Sequence, residues 1–276
     1  MRIVHFSDIH LAAWPAAFTA LFDKRILGFL NYTLRRRLRM HESYVQKAVE
    51  HIHKLKPDFV ICSGDLTCIG SPPEFSKARR ALATLAESEE IDFFYVPGNH
   101  DAYINASSNW KALEAAFYHL NRQRWHLKEL PVLEKSRKLE FMLVNECQPT
   151  PVWGSYGFFQ GETRESFAKW LAETPLPDRL RILVGHFPTR RESGQPLERR
   201  RMLRGNGIVR EALESGKLDV SLCGHIHDPY VNRFASGALE ICSGSLTAHG
   251  YINVLDIDDD GSVKQRWDNV KERKGA

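Results

Sequence analysis

Five short apolar runs recur along the chain, and each ends at a polar cluster containing Gly, Asp, Asn or His. The runs cover three to five positions and are rich in β-branched and aromatic residues, which is typical of buried strands. They occupy residues 2–6, 59–62, 93–96, 182–184 and 220–223. Gly or a carboxylate directly after an apolar run indicates a tight turn out of a sheet. We therefore expect five loops to converge at one sheet edge.

Amphipathic stretches separate most of these runs and predict helices. The predicted helices cover about residues 44–55, 74–87, 109–120, 163–173 and 206–215, and further strands are predicted at 139–144, 239–243 and 251–257. Alternating strands and helices predict a layered α/β fold. The length of 276 residues, without a linker or repeat, favours a single domain over residues 1–276.

The polar clusters after the five runs supply seven candidate metal ligands. A lone Gly-His or Gly-Asp is usually only a turn. The prediction of a metal site therefore rests on the presence of all five clusters and on their order along the chain. Mixed imidazole, carboxylate and amide donors suit Mn, Fe or Zn better than Mg or Ca. No cysteine belongs to the set, which argues against a thiolate zinc site. The candidates are Asp8, His10, Asp65, Asn99, His186, His225 and His227.

The order of these clusters resembles the calcineurin-like metallophosphoesterase family, whose pattern is D-x-H, G-D, G-N-H-D/E, G-H and G-H-x-H. The match runs from Asp8 to His227. The resemblance implies a four-layer α-β-β-α sandwich of two mixed sheets flanked by helices. It also implies two divalent ions, Mn first with Fe or Zn as alternatives, and a bridging hydroxide that attacks a phosphodiester or pyrophosphate. Two ions about 3.5–4 Å apart can clamp the attacking and leaving oxygens of such a group.

The resemblance also implies a role for each residue of the motifs. One ion would be held by Asp8, His10 and His227, the other by Asn99, His186 and His225, with Asp65 bridging both. His100 would stabilise developing charge or protonate the leaving oxygen, a contribution of roughly 10²–10⁴-fold. Asp101 would orient the His100 ring, and Asn99 would also contact the phosphoryl oxygens.

Positive charge is concentrated in two segments, 13–42 and 190–204, which each follow a metal motif and each carry a net charge of +4, the same as the whole chain. The first is also amphipathic and aromatic, and predicts a cap-like insert. It could pack on its own domain, contact a membrane or lipid substrate, or form a protein or oligomer interface. Arginines of both segments are candidates to bind substrate charge, namely Arg35, Arg36, Arg37, Arg190 and Arg191.

A cyclic nucleotide or another small phosphodiester is the first substrate prediction. The alternative is a lipid-linked substrate, as in the UDP-2,3-diacylglucosamine pyrophosphohydrolases, which act at the membrane surface. Nucleic acid is disfavoured by the apolar content of segment 13–42, and a non-enzymatic scaffold by the complete ligand set. The oligomeric state is left open by the sequence.

The cellular location is predicted from the chain's beginning and from its apolar runs. A strand that starts at residue 2 leaves no room for a cleaved signal peptide, and no apolar run approaches the ~18 residues that span a bilayer. The five cysteines are an odd number, which favours reduced thiols over disulfides. These features predict a cytoplasmic protein, with the inner face of the membrane as an alternative site.

Overall fold

Five strands form the first sheet. Their bounds are β1 Arg2–Phe6, β2 Phe59–Cys62, β3 Asp92–Tyr95, β12 Tyr251–Ile257 and β13 Val263–Asn269. They lie in the order β13-β12-β1-β2-β3. Strands β1, β2 and β3 run parallel, β12 is antiparallel to β1, and β13 is antiparallel to β12. The three parallel strands are almost wholly buried, as expected for central strands covered on both faces.

Six strands form the second sheet. Their bounds are β4 Val132–Ser136, β5 Leu139–Leu143, β7 Leu180–Val184, β9 Val220–Cys223, β10 Tyr230–Arg233 and β11 Leu239–Cys242. They lie in the order β10-β11-β9-β7-β5-β4. The four central strands are parallel, and an antiparallel strand closes each edge. A separate ribbon pairs β6 (Gly157–Phe158) with β8 (Leu203–Arg204) in parallel.

Helices flank the two sheets, which confirms the predicted α/β layering. They are α1 Ser43–Leu55, α2 Pro72–Ala86, α3 Ser107–Leu120, α4 Gly161–Ala172, α5 Gly207–Glu214 and the short α6 Leu246–His249. Helices α2 and α3 pack on each other and on β3, while α4 and α5 pack together. Trp170 of α4 donates a hydrogen bond to Glu140 of β5 over 2.8 Å, so α4 covers the second sheet.

A trio of phenylalanines joins the two sheets at their inner faces. Phe141 of β5 lies with its ring centroid 5.0 Å from that of Phe59 of β2 and 5.2 Å from that of Phe94 of β3. All three side chains are fully buried. Because the two sheets carry different metal motifs, this contact fixes how far apart those motifs lie.

The computed structural model describes residues 1–13, 39–174 and 179–271. Most of the predicted insert at 13–42, including Arg35, Arg36 and Arg37, lies outside the described residues. The five predicted helices are confirmed within two residues at each end, and all eight predicted strands are present. Strands β4, β10 and β13 and the ribbon strands were not predicted, since edge strands carry mixed polar sequences. A single domain over residues 1–276 stays a prediction.

Two further observations concern the thiols and the membrane. All five cysteines are free and buried, which confirms the expected reduced thiols. In the described part of the chain, no helix has the length and apolar character to cross a bilayer.

Replacing Phe141 with Ala should lower the free energy of unfolding by about 3–5 kcal/mol, because it removes a buried ring from the contact between the sheets. Urea denaturation followed by circular dichroism would measure the loss. Phe158→Ala, which removes a half-buried ring on the β6 ribbon, is the matched control and should lose much less stability. Equal losses in the two variants would contradict a special role for the inter-sheet trio.

Candidate metal centre

The loops after five parallel strands meet at one end of the sandwich and bring together the seven predicted ligands. The first sheet supplies four of them, Asp8 and His10 after β1, Asp65 after β2 and Asn99 after β3, and the second sheet supplies three histidines after β7 and β9. Parallel strands deliver their carboxyl ends to one edge, so two such sheets packed face to face present their loops to each other. The candidate centre therefore lies between the sheets.

One group of ligand atoms surrounds the carboxylate of Asp8. Nε2 of His10 lies 3.4 Å and Nε2 of His227 lies 3.3 Å from Oδ1 of Asp8, and the two nitrogens are 3.0 Å apart. With Asp65 added, these four residues offer one ligand atom each within 4.8 Å of one another. That spacing suits a single small cation.

A second group of ligand atoms surrounds the side-chain oxygen of Asn99. This Oδ1 lies 2.8 Å from Nδ1 of His225 and 3.2 Å from Nε2 of His186. Oδ2 of Asp65 lies 3.4 Å from Nε2 of His186 and 3.7 Å from Nε2 of His10. A single carboxylate oxygen thus lies between the two groups, as a bridging ligand requires.

Backbone carbonyls fix the orientation of three candidate histidines. His10 donates from Nδ1 to the carbonyl of Thr67 over 3.1 Å, and His186 donates from Nδ1 to that of Ser63 over 2.7 Å. His225 is turned the other way and donates from Nε2 to the carbonyl of residue 201 over 3.0 Å. In each ring the opposite nitrogen then carries the lone pair towards the centre, which is the arrangement that metal-ligating histidines adopt.

The two carboxylates each face in two directions. Oδ2 of Asp8 accepts from the amide of His225 (3.0 Å), and Oδ1 of Asp65 accepts from the amide of His100 (2.7 Å). The remaining oxygen of Asp8, Oδ1, is buried and has no hydrogen-bond partner among the described residues. A buried, unsatisfied anionic oxygen is costly, and a bound cation would satisfy it. The donor set therefore fits divalent metal ions.

Charges within the centre shift the ionisation of its groups. Burial alone would raise the pKa of Asp8 and of Asp65, but neighbouring histidines outweigh burial and hold both pKa values well below the ordinary range. Burial lowers the pKa of His225 well below its ordinary value. For His186, burial lowers the pKa but the charge of Asp65 outweighs it and raises the pKa to about 10. Both carboxylates are therefore anionic, and a metal ion competes with a proton for His186.

Five of the seven candidate ligands adopt left-handed backbone conformations, which non-glycine residues rarely do. Their φ angles lie between 42° and 69°, at Asp8, His10, Asp65, His225 and His227. Hydrogen bonds between loops hold this geometry, since Asp8 donates its amide to Gly64 and His10 donates its amide to Asp65. The backbone of the loop after β1 is thus held by the loop after β2.

The glycines of the motifs allow these loops to approach closely. A Cβ on Gly98 would collide with Asp65, and a Cβ on Gly224 would collide with Asp8 and Ser7. The glycines of the Gly98-Asn99 and Gly224-His225 pairs are therefore explained by packing against the two carboxylates.

Asp101 holds the loops together, in contrast to the expectation that it orients the His100 ring. Its carboxylate accepts from three backbone amides, those of residues 66, 67 and 98, and from the hydroxyls of Thr67 and Tyr95. Burial, assisted by the charge of Asp65, raises the pKa of Asp101 to about 6. The ring of His100 is instead held through Nδ1 by the carbonyl of Cys68 at 2.5 Å.

A cavity of about 380 Å³ opens over the candidate ligands. His100 and Arg201 line it, together with Ser155. The predicted substrate-binding arginines of the basic loop lie elsewhere, because Arg190 packs its guanidinium over the ring of Phe234 at 4.0 Å, and Arg191 pairs with Glu198 at 3.3 Å. Arg201 is the arginine of this loop that reaches the cavity, and sequence reasoning had not singled it out.

Glu146 was also missed, although it supports a candidate ligand directly. Its buried Oε2 accepts from the amides of His186 and Phe187, both at 2.8 Å. Gly185 allows this approach, since any Cβ there would collide with the Glu146 carboxylate. The only sequence signal was an acidic residue shortly after the predicted strand at 139–144.

Comparisons with known proteins agree with this architecture. The family model for calcineurin-like phosphoesterases matches residues 1–229. A cAMP/cGMP dual specificity phosphodiesterase from Mycobacterium tuberculosis is 23% identical over 238 residues, which make up 82% of this chain and 61% of that protein. A component of the SbcCD nuclease from Staphylococcus epidermidis is 22% identical over 295 aligned positions, covering 98% of this chain and 70% of that protein.

A solved structure extends the likeness to the fold. The purple acid phosphatase from yellow lupin (Lupinus luteus) seeds superimposes with a TM-score of 0.59 at 13% identity, over 98% of this chain and 51% of that one. The predicted sandwich of two mixed sheets flanked by helices is thereby confirmed. The chain spans only about 61% of the first curated relative.

Glu146→Ala should weaken binding of one of two Mn²⁺ ions by roughly 10–100-fold, because the amide of His186 loses its anchor. Glu146→Gln keeps an acceptor oxygen and should restore most of the affinity. Calorimetric titration of the metal-free protein with Mn²⁺ measures both. Asp219→Asn is the control, since Asp219 holds the amide of Arg181 at the opposite end of β7. Unchanged affinity in Glu146→Ala would contradict this role.

Proposed function

This chain belongs to the calcineurin-like phosphoesterase family, and we propose that it hydrolyses a small phosphodiester, such as a cyclic nucleotide, at the centre between its two sheets. The chain is a metal-dependent hydrolase by family membership. The observation that carries the proposal is the single oxygen of Asp65 between two groups of ligand atoms, beneath a cavity of about 380 Å³. Small-molecule sites have volumes of roughly 300–1,000 Å³.

We assign one ion to Asp8, His10 and His227, the other to Asn99, His186 and His225, and the bridge to Asp65. Mn is the proposed metal, with Fe or Zn as alternatives, because the donors mix imidazole nitrogen with carboxylate and amide oxygen. Divalent ions bound there supply Lewis acidity and lower the pKa of coordinated water. The orphaned oxygen of Asp8 supports this assignment.

The residues around the centre bind and orient the phosphoryl group. His100 lines the cavity with its ring fixed by the carbonyl of Cys68, so its position is set before substrate enters. We propose that Nε2 of this ring donates to a phosphoryl or leaving-group oxygen. Arg201 lines the same cavity, and its positive charge offsets the charge of the substrate. Asp101 acts indirectly, because its carboxylate holds the loops that carry Asp65 and Asn99.

The mycobacterial relative, a cAMP/cGMP phosphodiesterase, favours a cyclic nucleotide as substrate. A nuclease is the second candidate, because the staphylococcal relative is part of a nuclease and Arg199 and Arg200 lie exposed near the cavity. The lipid-linked substrate and the membrane contact rest on residues 13–42, most of which lie outside the described residues. The described part favours neither, and cytoplasmic location stays a prediction.

The deciding experiment is Mn²⁺-dependent hydrolysis of 3′,5′-cyclic AMP beside a single-stranded oligonucleotide. Preference for the cyclic nucleotide supports the proposal, while preference for the oligonucleotide supports the nuclease. Cleavage of neither, by protein shown to bind two Mn²⁺ ions, would overturn both assignments. Replacing Mn²⁺ with Zn²⁺ or Fe²⁺ ranks the metals.

Asp65→Ala and His186→Ala should each reduce metal-dependent turnover by on the order of 10²–10³-fold or more, because each removes a donor from the centre. Steady-state rates in Mn²⁺ measure the loss, and circular dichroism checks that the fold survives. Asp92→Ala provides a control, since this carboxylate begins β3 and lies far from the loops. Retained turnover in a folded Asp65→Ala protein would contradict the site assignment.

A further inference from the structure

An exposed tryptophan lies two residues along the chain from Ser155, which lines the cavity over the candidate centre. Trp153 is 78% exposed and its neighbour Val152 is 60% exposed, and these are the exposed large apolar side chains of the described residues. Isolated surface apolar residues are common. A tryptophan exposes far more apolar area than an aliphatic residue, however, and this ring is among the side chains that bind planar groups most strongly.

The backbone that carries Trp153 is ordered by its own hydrogen bonds. The amide of Gly154 donates to the carbonyl of Pro151 over 2.9 Å, which closes a β-turn with Trp153 at its third position. The hydroxyl of Thr150 donates to the carbonyl of Gly154 over 2.6 Å. Since these hydrogen bonds already fix the turn, stacking of a ligand on the indole would cost little conformational entropy of the protein backbone.

This turn continues directly into the wall of the cavity. Ser155 lines the cavity, and its amide donates to the carbonyl of Arg200 over 2.8 Å. The strands of the ribbon follow, with Gly157 donating to Met202 over 3.2 Å. We call residues 151–159 and 199–204 together the rim. The rim places Trp153 two residues from a cavity-lining side chain.

The rim is also strongly basic. It contains Arg199, Arg200, Arg201 and Arg204 and no acidic residue. Arg200 pairs with Glu198 just outside the rim at 3.1 Å, and Arg204 packs over the ring of Tyr156 at 3.7 Å. An aromatic platform beside positive charge is the combination that binds nucleotides and single-stranded nucleic acids.

We propose that the rim is the subsite for the organic group attached to the scissile phosphate, with Trp153 stacking on the planar ring of that group and Arg201 meeting the negative charge of the phosphate. The proposal rests on the phosphodiesterase function proposed above and narrows its substrate class to phosphodiesters of nucleosides. A diester without a ring would reach the metal centre but would not use Trp153. Trp153 is thus a residue that sets specificity and takes no part in bond cleavage.

Kinetics on two substrates test this subsite. Trp153→Ala should lower kcat/KM for 3′,5′-cyclic AMP by roughly 5–100-fold, mainly through KM, and leave a ring-free diester such as glycerophosphoethanolamine unchanged. Trp153→Phe should recover most of the loss. Glu165→Ala, at an exposed position of α4 outside the rim, is the control and should behave as wild type. Equal loss on both substrates, or no loss on either, would overturn the proposal.

A binding measurement separates this proposal from the proposed function. Adenosine monophosphate titrated into the metal-free protein should quench tryptophan fluorescence, and the quenching should largely vanish in Trp153→Phe. Ribose 5-phosphate, which lacks the planar base, is the control. If no phosphodiester is cleaved but quenching depends on Trp153, the proposed function fails and the subsite stands. Identical quenching in wild type and Trp153→Phe would overturn the subsite.

Replacement of Trp153 also tests whether the exposed ring instead contacts a second copy of the chain or a membrane surface. Light scattering and vesicle sedimentation compare wild type with Trp153→Ala. If the change alters self-association or binding to anionic vesicles while nucleotide quenching is absent, the exposed ring serves another surface and the subsite is wrong. Unaltered behaviour in both assays, beside lost quenching, supports it.

Discussion

The centre depends on two buried carboxylates that each bind in two directions. Asp8 and Asp65 turn one oxygen towards the histidines and the other towards a backbone amide of a different loop, at His225 and His100. The metal-facing geometry and the packing of the loops are therefore set by the same two side chains. Oδ1 of Asp8 is fully buried and has no hydrogen-bond partner among the described residues, so a bound cation would complete its interactions. Metal binding and folding stability are coupled for the same reason.

The loops have little freedom to adjust around an ion. Five candidate ligands adopt left-handed backbone conformations, which cost of order 1–3 kcal/mol each and persist only where the surroundings enforce them. The enforcement comes from hydrogen bonds between loops and from glycines that admit close approach. Asp101 adds a third constraint by holding the amides of the Gly-Asp and Gly-Asn loops with one carboxylate. Contacts within the protein therefore hold the candidate ligands in this geometry.

Much of the fold and of the ligand set could be predicted because each candidate ligand directly follows an apolar strand. Position along the chain then fixes position in space, as at Asp8 after β1 and His186 after β7. Glu146 acts through backbone amides and left no such signal. Asp101 was singled out by its motif, but its contacts with three backbone amides could not be read from the sequence. The positive charge of a segment also did not show which of its arginines face the cavity. Arg190 and Arg201 share one basic loop, yet Arg190 packs on Phe234 and Arg201 reaches the cavity. Only the neighbouring side chains decide between those two outcomes.

The ribbon of β6 and β8 shares no strand with either large sheet. Main-chain groups of the ribbon and of the residues next to it contact the centre, since the carbonyl of Arg201 holds the His225 ring and the amide of Phe158 donates to the carbonyl of Glu146. Main-chain links survive when side chains are exchanged. Apart from Gly157, where a Cβ would collide with the ring of Phe187, the ribbon can therefore change its side chains through mutation while the ligands keep their places. The substrate could then change while the metal centre stays the same.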